Sequence, residues 1–552
     1  MLLTQLSISN YKSLREVTLT PDQFCVIVGA NAAGKSNFAD CIDFISEVYR
    51  HGLEMAVERK GGYANIAFRR QRRSKLPIEI RLTVEVGEDE LAPGSRKDGT
   101  KRLFKIEHYF AFAVQGASIR APYQIVEENL TVREREQTEW KTVGSVKRTS
   151  QTESKISVLD ERKREKSDKP TGSRLYSDAL FDFSRLELIY DKGMRNILAS
   201  ELLITSLGFV LLGMREVVRE LGSMRVFQIS PSKSREVGVP TPGPEIDRWG
   251  GNLPAVVDAV SKNSPSQWDL VMETMTAILP DLTGIDVDYT PSRRLSLFFR
   301  EAETGTVWSV EEVSDGTIQT LALLMAITDP SVSLVVVEEI ENSVHPWIIR
   351  RVLDVCRESS TTKQIILTTH SPIVINSVRP EDVRVIWRER GESHLAELTK
   401  LDPNFLSLWE AGSLPTFEYI NSGVLSQTIP PMPDLQSEAG QAVEDLYEKL
   451  HTFIMSLGDD VKSKELKYYI AFRRAKNFAC VEISERMGRL RIYIKVDPET
   501  INLEKGFTRD VRDISHWGTG DLEITVRTDE DLARSQPLIR RSYMNDPVAA
   551  SR

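Results

Sequence analysis

Cysteine is scarce in this chain. There are four, Cys25, Cys41, Cys356 and Cys480, scattered and with no CxxC pair. That excludes a disulfide-stapled scaffold and points to reduced core thiols in a cytoplasmic protein. No apolar run approaches the roughly 20 residues that cross a bilayer, so no membrane partner is expected. The opening "MLLTQLSISNYKSL" lacks a signal peptide's order of charge, apolar block and cleavage site. Positive charge is not in excess either. The formal net charge of -9 excludes a uniformly basic nucleic-acid coat, though not a local basic track. No repeat at solenoid spacing is present. What is left is an ordinary globular composition, 41% hydrophobic and 27% charged. At 552 residues the chain is too long for one core and should form two or three domains.

Residues 1–60 read as two strands, "LLTQLSIS" and "QFCVIVG", and a helix. Residues 76–130 alternate like antiparallel strands with one wet face. Residues 131–174 hold 12 Lys/Arg and 8 Asp/Glu with few large apolar residues, which predicts a mobile insertion or exposed arm. A helical lobe follows at about 175–225, then a turn-rich link at 237–254, helix at 255–280 and strands at 284–312. From 313 to 385 helix and strand alternate, which implies parallel strands with crossover helices. The prolines of "TIPPMPDLQSE" mark a linker at 428–439. Residues 440–552 form a small α+β unit after a head spanning 1–427.

Chemistry concentrates at a few strand ends. "GANAAGKS", Gly29 to Ser36, fits G-x-x-x-x-G-K-[ST] and follows the apolar strand "CVIV". Glycines let backbone wrap phosphates closely, and amides at the helix start point at the anion. Lys35 would neutralise the β/γ-phosphates, and the Ser36 hydroxyl would hold Mg²⁺. Gly29, Asn31, Ala32, Ala33, Gly34, Lys35, Ser36 and Asn37 form the candidate phosphate set. The bland alternative is a chance Gly/Lys turn, which the strand before and the helix after argue against.

A P-loop needs an acidic strand end to complete it, in the usual plan on a neighbouring parallel strand. "LVVVEEIENSVHP", 334–346, supplies Glu338 as the metal-side acid and Glu339 to polarise the attacking water. Read alone, these glutamates equally suit the start of a helix, where acids favour the dipole. Ser314 and Gly316 open a helix at "VSDGTIQTLALL" and make a second anion site. His370 ends the strand "QIILTTHS". A lone histidine is usually structural, but this one would lie beside the acidic strand if the two are neighbours. Glu341 has no role in this reading.

"GANAAGKSN", "VSDGTIQTLALL", "VVVEEIENSVHP" and "ILTTHSP", in this order and spacing, resemble the P-loop, signature, acidic and histidine-switch motifs of ABC-type ATPase heads. The kind is RecF/SMC/OLD, often called AAA family ATPases. "LSISNYKSL" and "EAGSL" are similar to that family's flanks, and the resemblance covers about residues 1–425. It implies an α/β fold: a P-loop head with a mixed, partly parallel sheet and an antiparallel β lobe. It implies ATP and Mg²⁺ as ligands and a homodimer, or a higher oligomer, of heads that sandwich ATP. Lys35 and Ser36 of one head would hold nucleotide, and Ser314 and Gly316 would reach the γ-phosphate from the other. Glu339 would activate water, and His370 would sense the γ-phosphate. Two residues depart from the pattern: Glu338 stands where Asp is common, and Asp315 where transporters have Gly. No glutamine switch can be assigned. The arm is too short for an SMC coiled coil.

The tail, "LKYYIAFRRAKNFACVEI…LRIYIKVD…LEITV", resembles a small domain of unknown function labelled a predicted transport protein. It lacks the Glu…DxD pattern of a Toprim nuclease. Glu482, Asp497, Asp521, Glu523 and Lys495 are its acids and lysine for a metal-nuclease reading. Asp521 and Glu523 would share a strand face. "RRQRRSK", 69–75, and the aromatics Tyr468, Tyr469, Phe472 and Phe478 beside Arg473, Arg474 and Lys476 suit nucleic acid. They equally suit a solvated loop and a β core. The expectation is an ATPase serving nucleic-acid transactions in anti-phage defence or repair, with the tail as recognition or effector module. The alternatives are an ATP-gated regulator of an effector protein that never touches DNA, and a nuclease through the tail.

Overall fold

A computed structural model describes residues 1–68, 76–91, 102–114, 123–148, 156–160, 180–181, 211–302, 305–410, 415–422, 438–458, 461–465, 470–484, 489–512 and 520–545, save single positions within these ranges, with a few isolated residues outside them. The chain divides into two compact units, Met1–Met432 and Pro433–Arg552.

The strands of the first unit are β1 (Leu2–Tyr11), β2 (Leu14–Leu19), β3 (Phe24–Val28), β4 (Ile78–Gly87), β5 (Leu103–Val114), β6 (Tyr123–Glu136), β7 (Glu139–Arg148), β8 (Ile156–Asp160), β9 (Arg225–Phe227), β10 (Leu282–Tyr289), β11 (Leu295–Glu301), β12 (Val307–Ser309), β13 (Leu334–Glu338), β14 (Gln364–Thr369), β15 (Val383–Glu389) and β16 (Glu392–Glu397). Thirteen of them join in one sheet, in the order β8-β7-β6-β5-β4-β1-β2-β16-β15-β3-β14-β13-β9, and β10, β11 and β12 form a second. The main helices are α1 (Lys35–His51), α2 (Leu212–Gly222), α3 (Leu253–Asn263), α4 (Pro265–Ile278), α5 (Asp315–Thr328) and α6 (Pro346–Ser359). The fold is thus mixed α/β. Strands β3, β14, β13 and β9 run parallel, and β1, β2 and β4 to β8 form an antiparallel lobe.

The parallel strands are continuous apolar runs because both their faces are covered. In β3, Cys25 and Ile27 pack in one cluster with Phe38, Ile42 and Ile45 of α1. Phe24, Val26 and Val28 point the other way, among Ile318, Leu321 and Met325 of α5. Strand β13 divides likewise, with Val336 on the α1 side and Val335 and Val337 on the α5 side. Helix α5 lies inside its cluster and is buried from Ile318 to Ile327.

Three expectations need correction. The first 60 residues hold three strands before the helix: "LREVTL" pairs back on β1 as β2. The stretch at 131–174 is not simply an arm, because its first part is the end of β6, all of β7 and β8. Counting charges there concealed an alternation. Val143 and Val146 face the core, while Lys147 and Arg133 pair with Glu127 and Glu107 on the wet face. Of the lobe at 175–225, the described part contains α2, and the strand β9 begins at Arg225. The basic run 69–75 and nearly all of the linker at 428–439 lie outside the described residues.

The second unit has α7 (Glu438–Met455), β17 (Lys462–Glu465), β18 (Ile470–Arg473), β19 (Asn477–Ser484), β20 (Arg489–Ile494), β21 (Thr508–Asp510), β22 (Leu522–Val526) and α8 (Asp529–Asn545). Its sheet runs β17-β18-β19-β20-β22-β21. Phe472 and Phe478 are buried in its core, so of their two readings the core prevails.

The antiparallel lobe buries an ionic cluster. Glu128 Oε1 lies 3.1 Å from His108 Nε2 and Oε2 lies 3.7 Å from Arg148 Nη2, all three nearly inaccessible. Tyr49 of α1 closes it, its hydroxyl 2.7 Å from His108 Nδ1. Removing one member of a buried pair strands the others. Glu128→Ala should cost about 3 kcal/mol in denaturant unfolding, whereas Lys141→Ala, on an exposed pair with Glu136, should cost under about 1 kcal/mol. Equal effects would mean that the strands from 123 to 148 contribute little to the fold.

Candidate active site

Four parallel strands end at one edge of the sheet. Val28 of β3 pairs with Thr369 of β14, Thr368 with Glu338 of β13, and Val337 with Phe227 of β9. The next residues, Gly29 of the P-loop, His370, Glu339 and Gln228, therefore share this edge, each within one residue of register of its neighbour. The acidic strand was expected beside the P-loop strand, but β14 lies between them. Two inter-strand steps span about 10 Å.

The P-loop is braced from beneath. Ser393 Oγ donates to Ala33 O at 2.7 Å and lies 2.7 Å from Ser13 Oγ, which accepts from Asn37 Nδ2 at 2.7 Å. Gly34 has φ 120°, and a Cβ there would lie 2.3 Å from Ser393 Oγ. A Cβ on Gly29 would lie 2.2 Å from Ile386 O. Both glycines are thus required by close approach as well as by the motif. Ala32 adopts φ 65°. Asn31, Ala32 and Ser36 are exposed, while Ala33, Gly34 and Lys35 are buried. Lys35 Nζ folds back onto the loop's own carbonyls, Gly29 O at 2.6 Å and Ala30 O at 3.1 Å. Burial lowers the Lys35 pKa below its ordinary range, and Glu339, Glu341 and Glu338 partly restore it.

Glu338 is buried, and its Oε1 accepts from Arg248 Nη2 at 2.5 Å. Arg248 also faces Asp43 and Asp40 of α1, at 3.5 and 3.9 Å. Arg248 leaves the second oxygen of Glu338 unclaimed. Glu339 turns the chain with φ 50°, a left-handed conformation that costs energy in a non-glycine residue. Its amide donates to Thr368 O at 2.9 Å, and its Oε2 accepts from Asn342 Nδ2 at 2.9 Å. Glu341 now has a place. Its Oε1 accepts from Thr369 Oγ1 at 2.9 Å and from the His370 amide at 3.0 Å, and lies 3.2 Å from His370 Nδ1. It fixes the turn that presents His370. His345 is exposed at the N-cap of α6 and makes no side-chain cap bond.

Ser314 caps α5, its Oγ accepting from the Thr317 amide at 3.1 Å. A Cβ on Gly316 would lie 3.1 Å from Ser343 O, so the signature turn packs against the acidic one. Gln228, at the tip of β9, was not singled out from sequence. Its signal was a glutamine closing an apolar strand, "VFQ", legible only once β9 is known to flank β13.

Among the described residues no three His, Cys, Asp or Glu side chains converge as a metal site. Mg²⁺ is usually held by one or two protein oxygens and by phosphates. The exposed Ser36 hydroxyl and the Glu338 oxygen that Arg248 does not hold are fitting donors. In the second unit, Glu482 lies 3.2 Å from the Tyr493 hydroxyl and 3.5 Å from Arg491 Nη1. Glu523 is on β22, and Asp521 precedes it.

A model of the family described as "AAA domain, putative AbiEii toxin, Type IV TA system" matches residues 24–376. The chain belongs to this family. Its larger unit is a P-loop ATPase head of the AAA type. A model of a domain of unknown function, DUF5655, matches residues 433–546. An uncharacterised protein of Haemophilus influenzae is 30% identical over 100 residues, 18% of this chain and 32% of that protein. The match thus spans about a third of that relative's length. The SMC head domain from Thermotoga maritima is similar at 12% identity and a TM-score of 0.31, over 72% of this chain and 99% of that one. A Pyrococcus furiosus Smc head with an extended coiled coil, bound to the C-terminal domain of ScpA, is similar at 14% identity and 0.35, over 74% and 99%. No described helix is long and apolar enough to cross a membrane.

Arg248→Ala leaves the Glu338 carboxylate buried without its cation. Without nucleotide it should lose about 1–3 kcal/mol in denaturant unfolding, and millimolar Mg²⁺ should restore part of the loss. A variant as stable as wild type would show that the pair does not anchor the site.

Proposed function

We propose that the larger unit binds ATP with Mg²⁺, hydrolyses it between two copies of the chain, and uses the cycle in nucleic-acid transactions of defence or repair. The observation that carries the hydrolytic part is the common edge shared by Lys35, Glu338, Glu339 and His370. Lys35 exchanges its own loop carbonyls for β- and γ-phosphate oxygens. Ser36 and Glu338 would hold Mg²⁺, which would neutralise charge on the phosphates, and Gln228 lies beside Glu338 at the tip of the next strand. Glu339 accepts the proton of the attacking water, and His370 bonds the γ-phosphate, its turn kept by Glu341. Ser314 and Gly316 meet the γ-phosphate held by the second copy. A cleft of about 500 Å³ lined by Lys12, Ser13, Asn37, Phe68, Arg388 and Arg390 opens beside the start of α1 and suits the nucleoside and α-phosphate. ATP favours the paired state because it adds contacts only there.

Phosphate release and light scattering on purified protein test this. Lys35→Ala should abolish ATP binding. Glu339→Gln should bind ATP, turn over about 100-fold or more slowly, and accumulate dimers. Normal turnover by Glu339→Gln would move the base elsewhere. DNA binding that weakens with salt is expected. Its absence at low salt, with and without ATP, would favour a regulator acting on an effector protein.

A further inference from the structure

The segment between β9 and α3 carries no motif, yet it touches both the acidic strand and the signature turn. It doubles back on itself: the Gln228 amide donates to Arg248 O at 2.7 Å, and the Ser230 amide to Trp249 O at 2.9 Å. After the single turn Pro231–Ser234 comes Arg235, whose side chain is 15% exposed and so largely withdrawn from water. Its guanidinium serves one short loop. Nε donates to Val310 O at 3.1 Å, Nη2 to Val313 O at 2.7 Å, and Nη1 to Asp315 Oδ1. That loop ends in Ser314, the cap of α5. A second tie lies one turn along α5, where buried Gln319 donates through Nε2 to Ile229 O at 3.2 Å. The segment that starts at Gln228 therefore grips the signature turn from two points.

The strength of this grip lies in the carbonyl bonds. Asp315 is 67% exposed, and an ion pair there is screened by water. The bonds to Val310 O and Val313 O are better protected. A planar fork holding three acceptors fixes both the path and the tilt of the loop, which a lysine's single nitrogen cannot do. This also accounts for Asp315, which stands where transporters carry glycine: it is the third acceptor.

We propose that Arg235 is a positioning residue for the ATPase reaction. It sets the turn bearing Ser314 and Gly316 for the phosphate held by a second copy, and ties that turn to the strand tip bearing Gln228 in its own copy. The proposal rests on the site reading above. Its test compares Arg235→Ala, Arg235→Lys and Asp315→Ala in the full chain. MgATP affinity is measured at low protein concentration, turnover at high concentration, and ATP-driven pairing in the Glu339→Gln background. Arg235→Ala and Arg235→Lys should each cut kcat and pairing about tenfold or more, with MgATP affinity within about twofold of wild type. Asp315→Ala should have the smaller effect. Hydrogen exchange at 310–317 should rise in Arg235→Ala without nucleotide. Unchanged kcat and pairing in Arg235→Ala would overturn the proposal, as would a loss of affinity equal to the loss of turnover. If the wild-type chain itself binds no ATP, the site reading fails first and the proposal with it.

Discussion

The parallel register of four strands is the constraint on which the rest depends. Because β3, β14, β13 and β9 run the same way and their ends pair to within one residue of each other, their following residues share one edge. A shift by one residue would turn every side chain to the other face and uncouple both core clusters. The burial of alternate residues among α1 and α5 holds that register. The site is thus a by-product of core packing: the apolar halves of the strands fix the positions of the polar tips.

The charges of the site find their partners within the chain. Lys35 bonds the loop it is meant to lend to phosphates, and Glu338 bonds Arg248. Such arrangements keep buried charge affordable, since an unpaired ion in this setting costs far more than a pair. They also mean that ligand binding is an exchange of partners, so the net gain is smaller than the new contacts suggest. Arg248 and Arg235 leave the same looped segment, one toward the acidic strand and one toward the signature turn.

Much of this was legible in the sequence where the signal is local. The P-loop with its strand before and helix after, the acidic strand end and the alternation of helix and strand after residue 313 all follow from short-range pattern. What escaped was long-range or masked by composition. Ser13 and Ser393 are ordinary serines until the fold sets them under Ala33. Arg248 lies in a turn-rich link with no motif of its own. The place of β14 between β3 and β13 is topology, and no local pattern encodes it. Glu341 looked like surplus charge because its partners, Thr369 and the His370 amide, are on another strand. The strands from 131 to 148 were hidden by a charge count that ignored alternation. Site geometry was therefore readable as a set of residues, but its wiring was not.

The most direct measurement is calorimetric titration of the full chain with ATP, with and without Mg²⁺. The account predicts a single nucleotide per chain, bound more tightly with the metal present. No binding, or binding indifferent to Mg²⁺, would contradict it.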